Sequence, residues 1–395
     1  MSAERGEAAT AATRLPRTFE SALHKWAQAM PKAAVATVLD HQGKAGQALL
    51  YPKLLSRATK VASMLLNKTV AVGREQTKVP LAKAGDRVAL IYPNTEPIGF
   101  LTAFYGCLLA GVVPVPVEVP LSKRDAGIQQ LGFLLGSCAV KVALTSEACY
   151  KGLPKCPLSS STPSSSFTPS GSNVLNGTPS EVVDLKGWPR LYWCTTDNMA
   201  KPPRDWQPPP RATDESVAYI EYSTDKEGAV KGVCVSRESM LAHGRALATA
   251  SDYQTGETMV CLVDFKREVG LWHSVMAAVL CGMKVVFVPY SLMKMNPACW
   301  LHATTRMQAA VCITKSRDLH WALMASCDQF SETFSSRGLR PDAMAPCAGG
   351  TETGTIAIRR RPSSPTANRT GRGILSMSAL SHSVAKWFPP GQWSS

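Results

Sequence analysis

The stretch 85–119 leaves this chain few folds to choose from. It holds four apolar residues in a row, Val88-Ala89-Leu90-Ile91, then the turn Pro93-Asn94-Thr95. An apolar run reaching Ala110-Gly111 follows, and after it a second strand-like run from Val112 to Val119. Continuous apolar strands bounded by turn residues suit a sheet covered on both faces, and strand, helix, strand in so short a span is a βαβ unit with its strands parallel. Thr95 is the expected helix cap, with Pro97 in the first turn. The uncharged run 98–117 has the length of a membrane span. Gly111, Pro114 and Pro116 fit a helix end and a strand entry better, so no span is expected.

The alternation continues in both directions. Helical spacing predicts helices over 19–30, 49–68 and 127–136, the first two separated by a short turn, and a strand over 139–145. Beyond the middle of the chain, Ser236 is placed to cap a helix reaching Ala250. Then come a strand at 258–265, a helix at 270–281 stopped by Gly282, a strand at 284–288, a helix at 296–307 and a strand at 309–314. Residues 157–180 break the pattern, being dominated by Ser, Thr, Pro and Gly, and read as a disordered surface loop. The expected organisation is a disordered tail (1–18), a first α/β half (19–156), that loop, a second α/β half (181–358) and a basic, partly disordered tail (359–395).

Composition excludes several function classes. The twelve cysteines form no Cys-x-x-Cys pair, so neither a zinc site nor a redox motif is supported. Most sit in apolar runs, which suits a reducing compartment and hence a cytoplasmic location, with nuclear presence left open. No Gly-x-Ser-x-Gly elbow is present for nucleophilic hydrolysis. The net charge of +14 favours anionic partners. Part of it lies in Arg359, Arg360, Arg361, Arg369 and Arg372, where no aromatic interleaves, so there is no nucleic-acid motif.

The chemistry is concentrated in 219–237, which reads strand, polar loop, strand, helix start. Ser223 and Thr224 bring hydroxyls, Gly228 and Gly232 bring unencumbered backbone, and Lys231 brings an ammonium, the donor set that a polyphosphate needs. The plainer reading of Lys231 is a solvated strand-end lysine. The pattern resembles the signature loop of adenylate-forming enzymes, Thr-Ser-Gly-Ser-Thr-Gly-x-Pro-Lys-Gly followed by Val-x-Val-Ser-His. Asp225, Lys226 and Glu227 stand where that loop has Gly, Ser and Thr, and Val230 replaces its Pro. A carboxylate about 4 Å from a phosphate opposes binding by about 4 kcal/mol at an effective dielectric of about 20, and Asp225 and Glu227 each bring one.

Longer runs carry a more specific likeness. Gly85-Asp86-Arg87-Val88-Ala89-Leu90-Ile91-Tyr92-Pro93-Asn94, Gly132-Phe133-Leu134-Leu135-Gly136-Ser137-Cys138, Lys201-Pro202-Pro203-Arg204-Asp205-Trp206, Asp264-Phe265-Lys266-Arg267 and Arg317-Asp318-Leu319-His320-Trp321 are among them. On these runs the chain resembles the disco-interacting protein 2 family, specifically its fatty-acyl-AMP-ligase-like domains, over 19–377. The resemblance implies an α/β adenylate-forming N-terminal domain with mostly parallel sheets flanked by helices, and a reaction in which a fatty carboxylate attacks the α-phosphate of ATP.

It also implies ATP and magnesium as cofactors, Glu352 as a metal ligand, and a fatty acid or acyl lipid and an adenine nucleotide as ligands, with a protein partner left open. Gly270, Leu271, Trp272 and His273 become candidates for the acyl pocket, though a Trp on an apolar helix is as readily plain core. The departures are Arg267-Glu268-Val269 in place of a His-Asp pair, an aromatic lost before Glu352, a shortened stretch at 329–334, and no counterpart of the ribose-binding Asp or the lysine-bearing C-terminal lid. The sequence therefore reads as a truncated or alternatively spliced form in which no catalytic residue is assigned and turnover is impaired. The alternative is a non-catalytic lipid- or nucleotide-binding scaffold.

Overall fold

A computed structural model describes residues 15–72, 77–119, 126–153, 189, 191–224, 230–335 and 355–359. The disorder expected of 157–180 and of most of the two tails falls outside them. The chain forms two compact units that interleave in sequence: Met1–Ala36, Ala48–Tyr253 and Asp264–Gly282 make the first, and Thr37–Gln47, Gln254–Val263 and Met283–Ser395 the second.

Helix α1 (Phe19–Ala29) starts at a capping box in which the Thr18 hydroxyl accepts the Ser21 N–H at 3.0 Å and Ser21 answers the Thr18 N–H. Between it and helix α2 (Tyr51–Asn67) the expected turn is instead two strands, β1 (Ala34–Leu39) and β2 (Ala45–Leu50). The exposed start of β2 gave no apolar alternation to read. Strands β3 (Thr69–Val72) and β4 (Thr77–Pro80) form a further antiparallel pair that the sequence did not announce.

Strand β5 (Arg87–Ile91), helix α3 (Pro97–Ala110) and strand β6 (Val113–Val117) are the expected βαβ unit. Glu96, with no side-chain cap, occupies the N-cap expected of Thr95, because Pro97 sets the first turn one residue later. All but one residue of α3 is buried, which explains the uncharged run: a helix apolar all round is a core helix here. Gly111, at φ 69°, ends it in the left-handed conformation that glycine adopts without strain. Among the described residues no helix is long and apolar enough to cross a membrane.

Helix α4 (Ala126–Ser137), strand β7 (Val142–Thr145), helix α5 (Glu147–Gly152) and strand β8 (Tyr192–Thr195) complete a four-stranded sheet of order β6-β5-β7-β8, parallel at every pair. Its edge strand carries both prolines. Val113 donates its N–H to Asp86 O at 2.8 Å, so the alternate positions Pro114 and Pro116 place their missing donors on the open side. Val113, Val115, Leu135 and Trp193 pack around Ala89 and Ile91 as the core. The chain leaves β5 for β6 on one side and returns to β7 on the other, which puts the topological switch point at the carboxyl ends of β5 and β7.

Strands β9 (Val217–Thr224) and β10 (Val230–Ser236) make an antiparallel hairpin followed by helix α6 (Arg237–Ala250), which Ser236 caps as expected. After β11 (Thr258–Cys261), three helical pieces, Glu268–Gly270, Leu271–Ala277 and Ala278–Cys281, run on as helix α7, the middle piece a π-helix, and Gly282 ends it at φ 74°.

The second unit centres on a six-stranded sheet of order β14-β13-β11-β12-β1-β2, with β12 (Lys284–Phe287), β13 (Val311–Lys315) and β14 (Thr355–Arg359). β11 is parallel to both β12 and β13, and β14 is antiparallel to β13. The helix predicted over 296–307 is present as α9 (Cys299–Arg306), preceded by a further helix, α8 (Tyr290–Met295), and followed by α10 (Ser316–Ser335). Val260, Val286, Cys312 and Trp300 form this unit's core. Mostly parallel sheets flanked by helices are thus the architecture of the described chain.

Candidate functional site

The hairpin holds the described part of the predicted phosphate loop. Its register pairs Thr224 with Val230, Ser223 with Lys231 and Tyr222 with Gly232, so Ser223 and Lys231 face each other across the two strands. Lys231 and Gly232 are exposed on β10. Gly228, the side chains of Ser223 and Thr224, and Glu352 lie outside the described residues, as do Asp225 and Glu227.

Two side chains that sequence reading passed over fix the hairpin. Arg237, directly after β10, is buried, pairs with Glu20 of α1 and donates through Nη2 to Leu108 O at 3.4 Å. Arg211 reaches the other Glu20 oxygen at 3.6 Å. On β9, Glu221 sends its carboxylate to the start of α7. Oε1 accepts the backbone N–H of Glu268, and Oε2 accepts the Trp272 indole N–H at 3.0 Å. Burial pushes the Glu221 carboxyl above its ordinary value despite these two bonds, and the neighbouring Glu268 charge adds to the rise.

Helix α7 carries all four acyl-pocket candidates in succession. Gly270 sits where a Cβ would come within 1.9 Å of Asp264 O, so close backbone approach, and not its helical φ of −64°, requires glycine. Leu271 is fully buried. Trp272 faces Glu221 and stands edge-on to His243, ring centroids 4.8 Å apart. His273 is buried beside Tyr253, whose hydroxyl lies 2.5 Å from Nδ1, and burial followed by the neighbouring His243 brings it down to about 4. The π-helical turn takes donors from outside its own ladder: the Tyr105 hydroxyl bonds Val275 O at 2.8 Å. Such wide turns are frequent at functional sites.

Just before helix α7 the chain carries an ion network. Lys266, 3% exposed, donates to Glu118 Oε2 at 2.9 Å and lies 4.0 Å from Asp264 Oδ2. Arg267 reaches the same two carboxylates, each at 3.5 Å. Burial alone would raise Glu118, but Lys266 and then Arg267 hold it below the usual carboxylate range. Asp264 ends above that range, because burial outweighs the cations and Glu118 repels it. Glu118 directly follows β6, so the network sits at the carboxyl edge of the four-stranded sheet. Among the described residues no group of three or more His, Cys, Asp or Glu could hold a metal ion.

This hairpin, followed by a capped helix and joined to parallel sheets, matches a family model described as AMP-binding enzyme over residues 23–340. The chain belongs to the AMP-binding enzyme family. Within the family it stands with the disco-interacting protein 2 proteins: it is 47% identical to disco-interacting protein 2 of Drosophila melanogaster, over 98% of this chain and 22% of that protein. It is 46% identical to disco-interacting protein 2 homolog B of Homo sapiens, over 94% of this chain and 24% of that protein. The AMP-binding chain thus spans about a quarter of the length of these relatives. A solved fatty acyl-adenylate ligase, from a study of the E. coli and L. pneumophila enzymes, shares the fold at a TM-score of 0.56 and 21% identity, over 75% of this chain and 46% of that one.

Proposed function

We propose that this AMP-binding domain recognises an adenine nucleotide at the β9/β10 hairpin and an acyl carboxylate beside helix α7, and that it forms acyl-adenylate poorly or not at all. The observation carrying this reading is the hairpin itself, with Lys231 exposed on β10 opposite Ser223. A point charge there suits a phosphate, and Ser223, Thr224, Gly228 and Gly232 would supply hydroxyl and backbone donors around it. Asp225 and Glu227 oppose the same anion, which weakens the grip without removing it. Glu352 is the candidate magnesium ligand; when bound, the ion would offset phosphate charge.

Weak turnover is supported by the ion network. Arg267, Glu268 and Val269 stand where the resemblance places a His-Asp pair, and Arg267, like the neighbouring Lys266, is bound to Glu118 and Asp264. General acid or base work at that place would require breaking an ion pair whose lysine, Lys266, is buried. The same feature favours the second reading, a lipid- or nucleotide-binding scaffold without chemistry. ATP/pyrophosphate exchange with a panel of fatty acids, beside calorimetric titration with ATP, tests both. ATP binding with no acid-dependent exchange is expected; acid-dependent exchange well above the blank would remove the impairment, and absence of ATP binding would remove the reading.

A further inference from the structure

We propose that Glu221 is a positioning residue that transmits occupancy of the β9/β10 hairpin to helix α7. The inference rests on the nucleotide reading above and adds a link between its two halves.

The link is short. Glu221 lies on β9 two residues before Ser223 and opposite Val233 of β10, and its two oxygens go to two donors of α7, the Glu268 N–H and the Trp272 indole. Both contacts span long sequence separations, 47 and 51 residues. A movement of the hairpin therefore has a direct route to the first turn of the helix. The receiving end is poised to respond. Glu268 holds φ at 48°, a left-handed conformation that an L-residue adopts at some strain, and it does so where its N–H meets the carboxylate.

The next residues are equally unlike an ordinary helix. Leu271–Ala277 is π-helical, with Ser274 Oγ bonding Gly270 O at 2.5 Å and Tyr105 bonding Val275 O at 2.8 Å, so its carbonyls are shared with donors outside the regular ladder. Wide turns of this kind are rare overall and frequent at functional sites. Trp272 itself is edge-on to His243 of α6, the helix that continues from β10, so hairpin and α7 are joined at two points. A carboxylate is suited to the task because it accepts at both oxygens; an amide in its place would turn one donor toward a donor.

The test follows the Trp272 indole Nε1–H resonance of the full chain, assigned by its loss in Trp272→Phe, while ATP is added and its affinity is measured by calorimetry. In the wild type the resonance is expected to shift as ATP binds, and in Glu221→Gln the shift is expected to vanish while ATP affinity changes less than about threefold. Saturating ATP is also expected to change the dissociation constant for dodecanoate by about fivefold or more, and Glu221→Gln to bring that factor close to one. A role confined to holding the fold would lower the stability of Glu221→Gln and leave the ATP response in place. ATP binding with an unmoved indole in the wild type, which requires no variant, overturns the inference and leaves the nucleotide reading standing; so does a shift that survives in Glu221→Gln. Failure of ATP to bind at all overturns the nucleotide reading and this link with it.

Discussion

His273 gives the domain a defined acid sensitivity. Its side chain is buried against Tyr253, and loss of hydration brings it from 6.5 down to about 4, with the neighbouring His243 adding to the fall. In the unfolded chain the imidazole takes a proton near its ordinary value, whereas in the folded chain it resists protonation until pH falls to about 4. A depressed value in the folded state gives stability that is present above 6.5 and lost as pH falls through 4. The gap of about 2.5 units at about 1.36 kcal/mol each amounts to about 3 kcal/mol in all, of which about 2 kcal/mol is lost between pH 7 and pH 4.5. Urea unfolding of the wild type and of His273→Gln at those two pH values isolates this share, since the other titrating groups are common to both. The variant keeps a hydrogen-bonding group for Tyr253 and removes the titration. The wild type is expected to lose about 2 kcal/mol more than the variant over the interval. Equal losses would refute the argument that burial of His273 governs this part of the acid response.

Three further predictions concern the supports of the site. Gly270→Ala puts a Cβ within 1.9 Å of Asp264 O, so it is expected to cost more than about 3 kcal/mol and to lower the melting temperature sharply. Gly256→Ala meets nothing within 4 Å and is strained only by its φ of 83°, so about 1–2 kcal/mol is expected there; comparable losses would show that the close approach is absent. Glu20→Ala leaves the buried Arg237 guanidinium without its carboxylate and is expected to destabilise by about 3 kcal/mol, read by urea unfolding. Lys266→Met strips the ammonium from Glu118 and Asp264; with Glu118 partly in solvent and Arg267 still beside both carboxylates, about 1 kcal/mol is expected at pH 7 by urea unfolding, shrinking as acid protonates the two carboxylates.

The parts of this molecule that could be read from sequence are those whose signal is local. Val88–Ile91 and Val142–Thr145 are apolar because both faces of their sheet are covered, and a short apolar run between turn residues says so without reference to anything distant. Gly111 and Gly282 end their helices where the sequence placed those ends, both in the left-handed conformation. Thr95 failed as a cap because Pro97 fixes the register of α3, and both residues suited a helix start. The β1/β2 strands stayed hidden because β2 turns four exposed residues to solvent before Leu49. The parts that could not be read depend on pairing across the chain. Nothing near Glu221 in sequence announces Trp272, and nothing near Lys266 announces Glu118, 148 residues away.

These distant pairs carry a consequence for chemistry that residue identities alone do not. By identity alone, Lys266 and Arg267 are two adjacent positive charges that would suit an anionic substrate. The structure ties both to carboxylates, so the local field is close to neutral and the ammonium of Lys266 is not available to a phosphate. Substituting Glu118→Gln would release part of that charge without deleting a side chain. If the neutralised network is what limits ATP affinity, Glu118→Gln should bind ATP more tightly than the wild type, by up to about tenfold if about 1.4 kcal/mol of attraction is freed. Added salt should then erase much of the gain, since screening weakens a charge newly exposed to solvent more than one held in a pair. Calorimetric titration at low and high ionic strength reads both effects. Unchanged affinity in Glu118→Gln would mean that the nucleotide does not sense this network, and the weak turnover proposed for the domain would have to originate elsewhere, with the acidic residues Asp225 and Glu227 the next to test.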